Sequence, residues 1–330
     1  MKRTFFFSVM LFALIFIGCK KDNNELDHTN NVAQPNSENF KNLRKVALSE
    51  LTQKKDFEVD GTGNIEFTSK KGVKISIPES CLHISGQVVS GTVQVEFAEL
   101  FEKDKLLTTN IATMGWDTES KVAKFLVTGG AFLVKLTQNG KEIQNSDYCN
   151  YELEVPAKLT GELDDAMKLW YGKFNNQENL IWEEVIRDRN LEIPTGLIFE
   201  NEKYRAIINE FGWVNIDRFY DNESRETTSV TIKVPSQYDG RNSAVYISYK
   251  EVPGLATAYY DTDNKLFNTG GYTLPIGLEV SVIFCSESNG KWAYAIKSIT
   301  IAKKQQIEFL KQELKEATQI EFEKAIVAIK

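Results

Sequence analysis

Apolar and polar residues alternate along most of this chain. Val73, Ile75 and Ile77 alternate with Lys74 and Ser76 until Pro78 stops the run. Val93, Val95 and Phe97 alternate with Thr92, Gln94 and Glu96. A period of two is the signature of a half-buried strand. Tyr151, Leu153 and Val155 repeat the pattern up to Pro156. Met167, Leu169 and Tyr171 repeat it again, turning through Asn175-Asn176 into Leu180-Ile181-Trp182. The apolar run Ala131–Leu136 is followed by Asn139-Gly140, a pair that favours a type I′ hairpin because both residues accept positive φ. After a polar stretch at 183–192, further strands are predicted at Tyr204–Ile208, Val214–Phe219, Ser229–Val234, Ala244–Tyr249, Ala256–Tyr260, Leu278–Cys285 and Trp292–Ile301. Pro235, Pro253 and Pro275 fall between them, where a missing N–H does no harm. The expected fold is all-β: two tandem β-sandwich domains at 40–196 and 197–303, divided at the polar stretch.

Two segments change period. Phe40, Leu43, Val46, Ala47 and Leu51 recur at helical spacing and predict a short amphipathic helix over 39–54. Beyond Lys303, Ile307, Leu310, Leu314 and Ala317 follow a 3-4-3 spacing, and Thr318–Glu321 reads as a capping box restarting a helix. Phe322, Ile326 and Ile329 line one side of that second helix. The tail 304–330 is therefore expected to be helical and to pack on the second sandwich, because two short helices rarely stand alone in water. Docking a partner is the sharper alternative.

The N-terminus carries a different kind of signal. Met1-Lys2-Arg3 precedes an apolar run from Phe5 to Ile17, broken only by Ser8. That is the length of a secretory signal core and short of the roughly 20 residues a membrane span needs. The run ends Phe16-Ile17-Gly18-Cys19, which resembles the lipobox read by lipoprotein signal peptidase, with Phe16 where Leu is usual. The resemblance implies cleavage of signal peptide 1–18 between Gly18 and Cys19. It also implies lipidation of Cys19 by acyl chains such as palmitate, which contribute about 0.8 kcal/mol of membrane affinity per buried CH₂. Residues 19–39 are almost free of apolar side chains and predict a flexible tether. Its start, Lys20-Lys21-Asp22 with Glu25, loosely resembles a surface-export signal of Bacteroidota lipoproteins.

Composition narrows the chemistry. Without Lys2 and Arg3, 37 basic residues face 46 acidic ones, a surface that repels nucleic acid. Of four cysteines, lipidation takes Cys19 and leaves Cys81, Cys149 and Cys285. At most one pair can form, and small buried thiols in apolar strands are the simpler expectation. The chain has only two histidines, His28 and His83, so a histidine triad or a multi-histidine zinc site is nearly excluded. There is no phosphate-binding glycine loop. No cofactor, metal ligand set or catalytic set is expected. Asp164-Asp165 and Glu183-Glu184 border turns and read as solvated charge. Asp261-Thr262-Asp263-Asn264 reads as a hairpin turn rather than a Ca²⁺ loop, since it lacks the glycine and the bidentate Glu.

Several segments together resemble a family. Gly72–Pro78, Gly86, Gly91–Glu96 and Gly129–Phe132 are similar to the ZU5-like β-sandwich of Bacteroidota surface lipoproteins. Met167–Gly172 with Trp182, and Gly212–Asp217, fit the same proteins. The resemblance covers most of 60–300. It implies architecture and an outer-membrane location, facing the periplasm or the cell surface, and carries no activity. Some ZU5 proteins cut themselves at His-Phe-Ser. Here the tripeptide is His83-Ile84-Ser85, with a different middle residue and an early position in a strand connection, so cleavage is not expected.

One strand stands out as a candidate ligand face. Trp213, Asn215 and Asp217 alternate onto one side, and an indole beside amide and carboxylate groups is how a sugar is often held. Burial of the same residues in a sandwich core is the competing reading. The function expected is a non-catalytic binding, adhesion or scaffolding module of the cell envelope. It would be held at the membrane by its lipid and directed at an envelope protein or a glycan. The alternative is a carboxylate-dependent glycoside hydrolase or carbohydrate-binding protein.

Overall fold

The alternating runs form strands, and their pairing defines two β bodies. A computed structural model describes residues 32–146, 149–175, 179–186, 195–221, 225–250 and 252–329. The chain is all-β, with three α-helices among the described residues. In the first body a five-stranded sheet runs Gly196–Glu200, Lys203–Ile208, Tyr151–Pro156, Lys74–Pro78, Asn64–Thr68. It packs on a larger sheet ordered Gln53–Val59, Gly91–Leu100, Val122–Gln138, Gly212–Phe219, Lys168–Phe174, Leu180–Glu184, Met114–Asp117. Ile75, Ile77, Leu153, Val155 and Tyr204 meet Val93, Val95, Phe97, Val134, Val214 and Ile216 in one buried cluster. The hairpin at Asn139-Gly140 is as predicted, with φ of 50° and 75° and Gln138 opposite Lys141.

The domain boundary differs from the expected one. Strands Gly196–Glu200, Lys203–Ile208 and Gly212–Phe219 belong to the first body. Gly212–Phe219 lies in the middle of its sheet, between Val122–Gln138 and Lys168–Phe174. The polar stretch that suggested the boundary connects two strands of one body. Within it, residues 187–192 lie outside the described ones.

The larger sheet also closes on itself. Met114–Asp117 pairs in parallel with Leu180–Glu184 and antiparallel with the first half of the 17-residue strand Val122–Gln138. Five strands therefore make a ring, and the second half of Val122–Gln138 continues into the sandwich. The strand manages both through a bulge. Asn215 pairs with Ala131 while Asp217 pairs with Thr128, so Gly129-Gly130 stand against Ile216 alone. A Cβ at Gly129 would sit 2.8 Å from the Ile216 carbonyl oxygen. Gly130 has φ of +124°, and a Cβ there would sit 2.7 Å from the Phe101 ring.

The second body is one eight-stranded sheet, ordered Gln306–Glu308, Thr231–Lys233, Leu266–Asn268, Ala256–Asp261, Ser243–Tyr249, Glu279–Ser288, Lys291–Thr300, Lys315–Ala317. It curls so that its first strand returns to its seventh: Lys297 Nζ donates to the Glu308 carbonyl at 2.5 Å and pairs with Glu313 at 2.8 Å. The tail is only partly helical. Ile307 and Ala317 lie in edge strands, and pairing with Ile232 and Trp292 outweighs the helical stripe. The second predicted helix is present as α3, Gln319–Val327, with Thr318 and Glu321 in the capping box.

The other helices join the bodies. Helix α1, Ser37–Leu51, is capped by the Asn36 side chain, which accepts from the amides of Glu38 and Asn39. Phe40 packs edge-on against Trp292 of the second body. The end of the expected tether is also docked: Ala33 N donates to Ser288 Oγ at 2.9 Å, and Asn36 N to Glu287 Oε2 at 3.0 Å. Residues 19–31 lie outside the described ones. Helix α2, Lys103–Thr108, meets α3 through an ion pair of Lys105 with Glu323, and Thr108 Oγ1 donates to Glu323 Oε1 at 3.2 Å.

Main-chain bonds complete the joint. Thr113 N donates to the Leu255 carbonyl at 2.8 Å, and Thr128 N to the Pro253 carbonyl at 3.1 Å. Thr113 Oγ1 donates to the Leu126 carbonyl and accepts from Leu255 N. Gly254 sits at this crossing with φ of +136°, where a Cβ would lie 2.6 Å from the Leu126 oxygen and 2.8 Å from Thr113 Oγ1. Gly254→Ala is expected to cost about 3 kcal/mol, from backbone strain plus overpacking. Gly140→Ala, with positive φ but nothing within 4 Å, serves as the control for strain alone. Urea denaturation measures both; equal losses would remove the packing argument.

Candidate functional site

Trp213, Asn215 and Asp217 share one face, as their alternation predicts, but that face lines the inside of the five-stranded ring. Trp170 stands beside Asn215 across the strand pair, and Trp182, Leu126 and Thr128 complete the interior. Asn215 and Asp217 have no exposure and Trp213 only 8%. A sugar has no face of Trp213 to stack on, so these three residues form core and not a ligand surface. The polar groups satisfy one another. Asn215 Nδ2 donates to Asp217 Oδ2 at 2.6 Å, and Gly129 N to Asp217 Oδ1 at 3.2 Å. Burial pushes the Asp217 carboxyl well above its ordinary range, against these hydrogen bonds, which pull it down. The indoles are satisfied as well: Trp170 Nε1 donates to the Asp217 carbonyl and Trp182 Nε1 to the Ala112 carbonyl, each at 2.8 Å.

The other polar motifs resolve into local structure. Asp164 accepts from Arg218 Nε at 2.6 Å, and Glu184 pairs with Lys168 at 2.7 Å. Asp261 accepts from the amides of Asp263 and Asn264, closing the hairpin. Ser85 and Gly86 form the tight turn between Leu82–Ile84 and Gln87–Val88, with φ of 52° and 79°. Cys81 and Cys149 form a disulfide, contrary to the expectation of three isolated thiols. Cys285 is the free, buried one. Among the described residues no three His, Cys, Asp or Glu side chains come together as metal ligands. Gly18, Cys19 and His28 lie outside the described residues.

A site the sequence did not announce lies in a groove beside the joint. Its floor is a row of three serines on adjacent strands, because Ser248 pairs with Ser281 and Ser281 with Ser298. Paired residues point to the same face, and Ser281 Oγ lies 2.9 Å from Ser298 Oγ. Helices α1 to α3 cover the rest of this face through Tyr246, Tyr294 and Trp292. They stop short of the serine row and leave a cavity of about 340 Å³. Lys103, the first residue of α2, and Ile329, just beyond α3, form its walls, with Lys250, Glu279, Ile299 and Thr300 around the rim.

The electrostatics of the groove are one-sided. Lys103 Nζ donates to the Tyr249 carbonyl at 2.6 Å. Burial lowers its pKa to about 8, so the ammonium form still dominates at neutral pH. The rim carboxylate Glu279 is held by Lys250 at 2.6 Å. Ser248 is only 3% exposed, and its hydroxyl has no protein partner among the described residues. The available signal in the sequence was weak: Ser248 and Ser281 are polar residues inside runs otherwise apolar or aromatic. Nothing in one dimension aligns them across strands or brings Lys103 over them.

No family model, curated protein or solved structure matches this chain.

Proposed function

We propose that the protein is an exported lipoprotein whose two-body β unit serves the cell envelope as a non-catalytic binding or scaffolding module, held at the outer membrane by lipid on Cys19. The observation that carries the reading is the Cys81–Cys149 disulfide. Such bonds persist in oxidising compartments and are rare where glutathione keeps thiols reduced. It supports export independently of the N-terminal signal. The hydrogen-bonded joint between the bodies suits a module that presents a surface. The groove suits binding better than hydrolysis: a glycosidase needs an acid and a base facing across a cleft, and among the described residues the one lining carboxylate, Glu279, is engaged by Lys250. The ZU5-like resemblance fits the same reading.

Metabolic labelling with an alkyne palmitate tests the anchor. The wild-type chain is expected to take up label and to stay with the outer membrane. Cys19→Ser should take up none and retain its leader. Labelling of the serine variant would refute the assignment. Protease shaving of intact cells then tells a surface-facing body from a periplasmic one.

A further inference from the structure

We propose that the groove floored by Ser248, Ser281 and Ser298 and walled by Lys103 binds a small carboxylate ligand of sugar-acid size. This rests on reading the protein as a binding module and adds the ligand class.

The donor count argues for an oxyanion. Lys103 Nζ spends one N–H on the Tyr249 carbonyl and keeps two. Ser281 and Ser298 share one hydroxyl proton between their oxygens and keep the other. Ser248 keeps its own, in a side chain almost wholly buried on the groove floor. Its hydroxyl opens onto the groove, where a ligand oxygen can accept from it. Among the described residues the one carboxylate on the rim, Glu279, already has its counter-ion in Lys250, so Lys103 is the charge left to the ligand.

Size and walls narrow the class further. A cavity of about 340 Å³ is at the small end of ligand pockets, roughly 300–1,000 Å³. It admits about one ring and leaves the rest of a chain in solvent. Ile329 offers an apolar wall beside the donors, which suits the C–H face of a sugar ring. A neutral sugar would leave the Lys103 ammonium without its counter-charge. The best match is a uronic-acid unit, with the carboxylate on Lys103 and Ser248 and ring hydroxyls on the Ser281–Ser298 pair.

Isothermal titration of the full-length mature protein in detergent tests this, with D-glucuronate, D-glucose and inorganic phosphate as probes. D-Glucuronate is expected to bind, and D-glucose to bind at least about tenfold more weakly. Lys103→Met should weaken glucuronate by about tenfold or more and Ser248→Ala by about fivefold, since hydrogen bonds to charged groups outweigh neutral ones. An unchanged thermal midpoint shows that each variant folds. If Lys103→Met does not fold, Ser248→Ala and the glucose comparison decide alone. Equal binding of glucose and glucuronate, or no binding of either, overturns the proposal. So does glucuronate affinity indifferent to both substitutions. Phosphate binding that depends on Lys103, without glucuronate binding, assigns the groove to another oxyanion and also overturns it. None of these outcomes touches the lipid anchor, which palmitate labelling tests separately.

Discussion

A Cys81→Ser, Cys149→Ser double variant is expected to lose about 4 kcal/mol of stability, the chain-entropy estimate for opening a loop of this length. The bridge spans 68 residues and ties the turn after Lys74–Pro78 to the segment entering Tyr151–Pro156. Both strands belong to the five-stranded sheet, and they pair with each other. Ser146 N donates to the Cys81 carbonyl and Asn145 Nδ2 to the Cys149 carbonyl, so the reduced chain still has local bonds holding the ends together. The loss should therefore appear as a lower urea midpoint with near-native circular dichroism at zero denaturant. Thiol labelling provides a second readout. Cys285 is fully buried, and burial pushes its thiol up to about 12, which keeps it protonated and unreactive. The native oxidised body should take up no alkylating reagent and the unfolded oxidised body one equivalent, at Cys285. Three equivalents in the unfolded, unreduced body would mean that the bridge is absent, and the support for export would go with it.

The sequence allowed one disulfide without choosing its members, and the reason is geometric. Cysteine spacing carries no register. What selects Cys81 and Cys149 is the short pairing of Leu82 and His83 with Asn145 and Gln144, which brings the two sulfur atoms together. The same gap explains the misplaced boundary. Strands such as Lys203–Ile208 and Gly212–Phe219 were legible from period two alone, because a half-buried strand records its own two faces. Which sheet they join is decided by partners 50 to 80 residues away, such as Leu153 for Ala206 and Leu133 for Trp213. The tail failed for a related reason. Ile307 and Ala317 are buried as a helical stripe would have them, but edge pairing buries them equally well. Thr318–Glu321 succeeded because a capping box is complete within four residues. In the groove, each serine was visible as a polar break in a strand, while the row required three registers at once.

Asp217→Ala is expected to cost about 4 kcal/mol, because it strands two donors, Gly129 N–H and the Asn215 amide, inside the ring. Asp217→Asn should cost far less. Its Oδ1 still accepts from Gly129, and turning the Asn215 amide over lets the new Nδ2 donate to Asn215 Oδ1. The contrast separates hydrogen bonding from simple filling of space, since the two variants differ mainly in polar groups. Titration adds a signature that neither shares with the wild type. The folded carboxyl holds its proton to a pH well above its ordinary value, while the unfolded chain releases it near 3.9. Between those two values the folded state binds more protons, so wild-type stability falls as pH rises, by up to about 1.4 kcal/mol per pH unit. The contribution is fully present below the unfolded pKa and is lost by the time pH passes the folded one. Asp217→Asn cannot titrate there. Its stability relative to wild type should climb as pH goes from 4 to 7, as read from urea midpoints at each pH. A constant difference across that range would mean that Asp217 ionises in the folded ring, and the dry interior inferred around it would have to admit water.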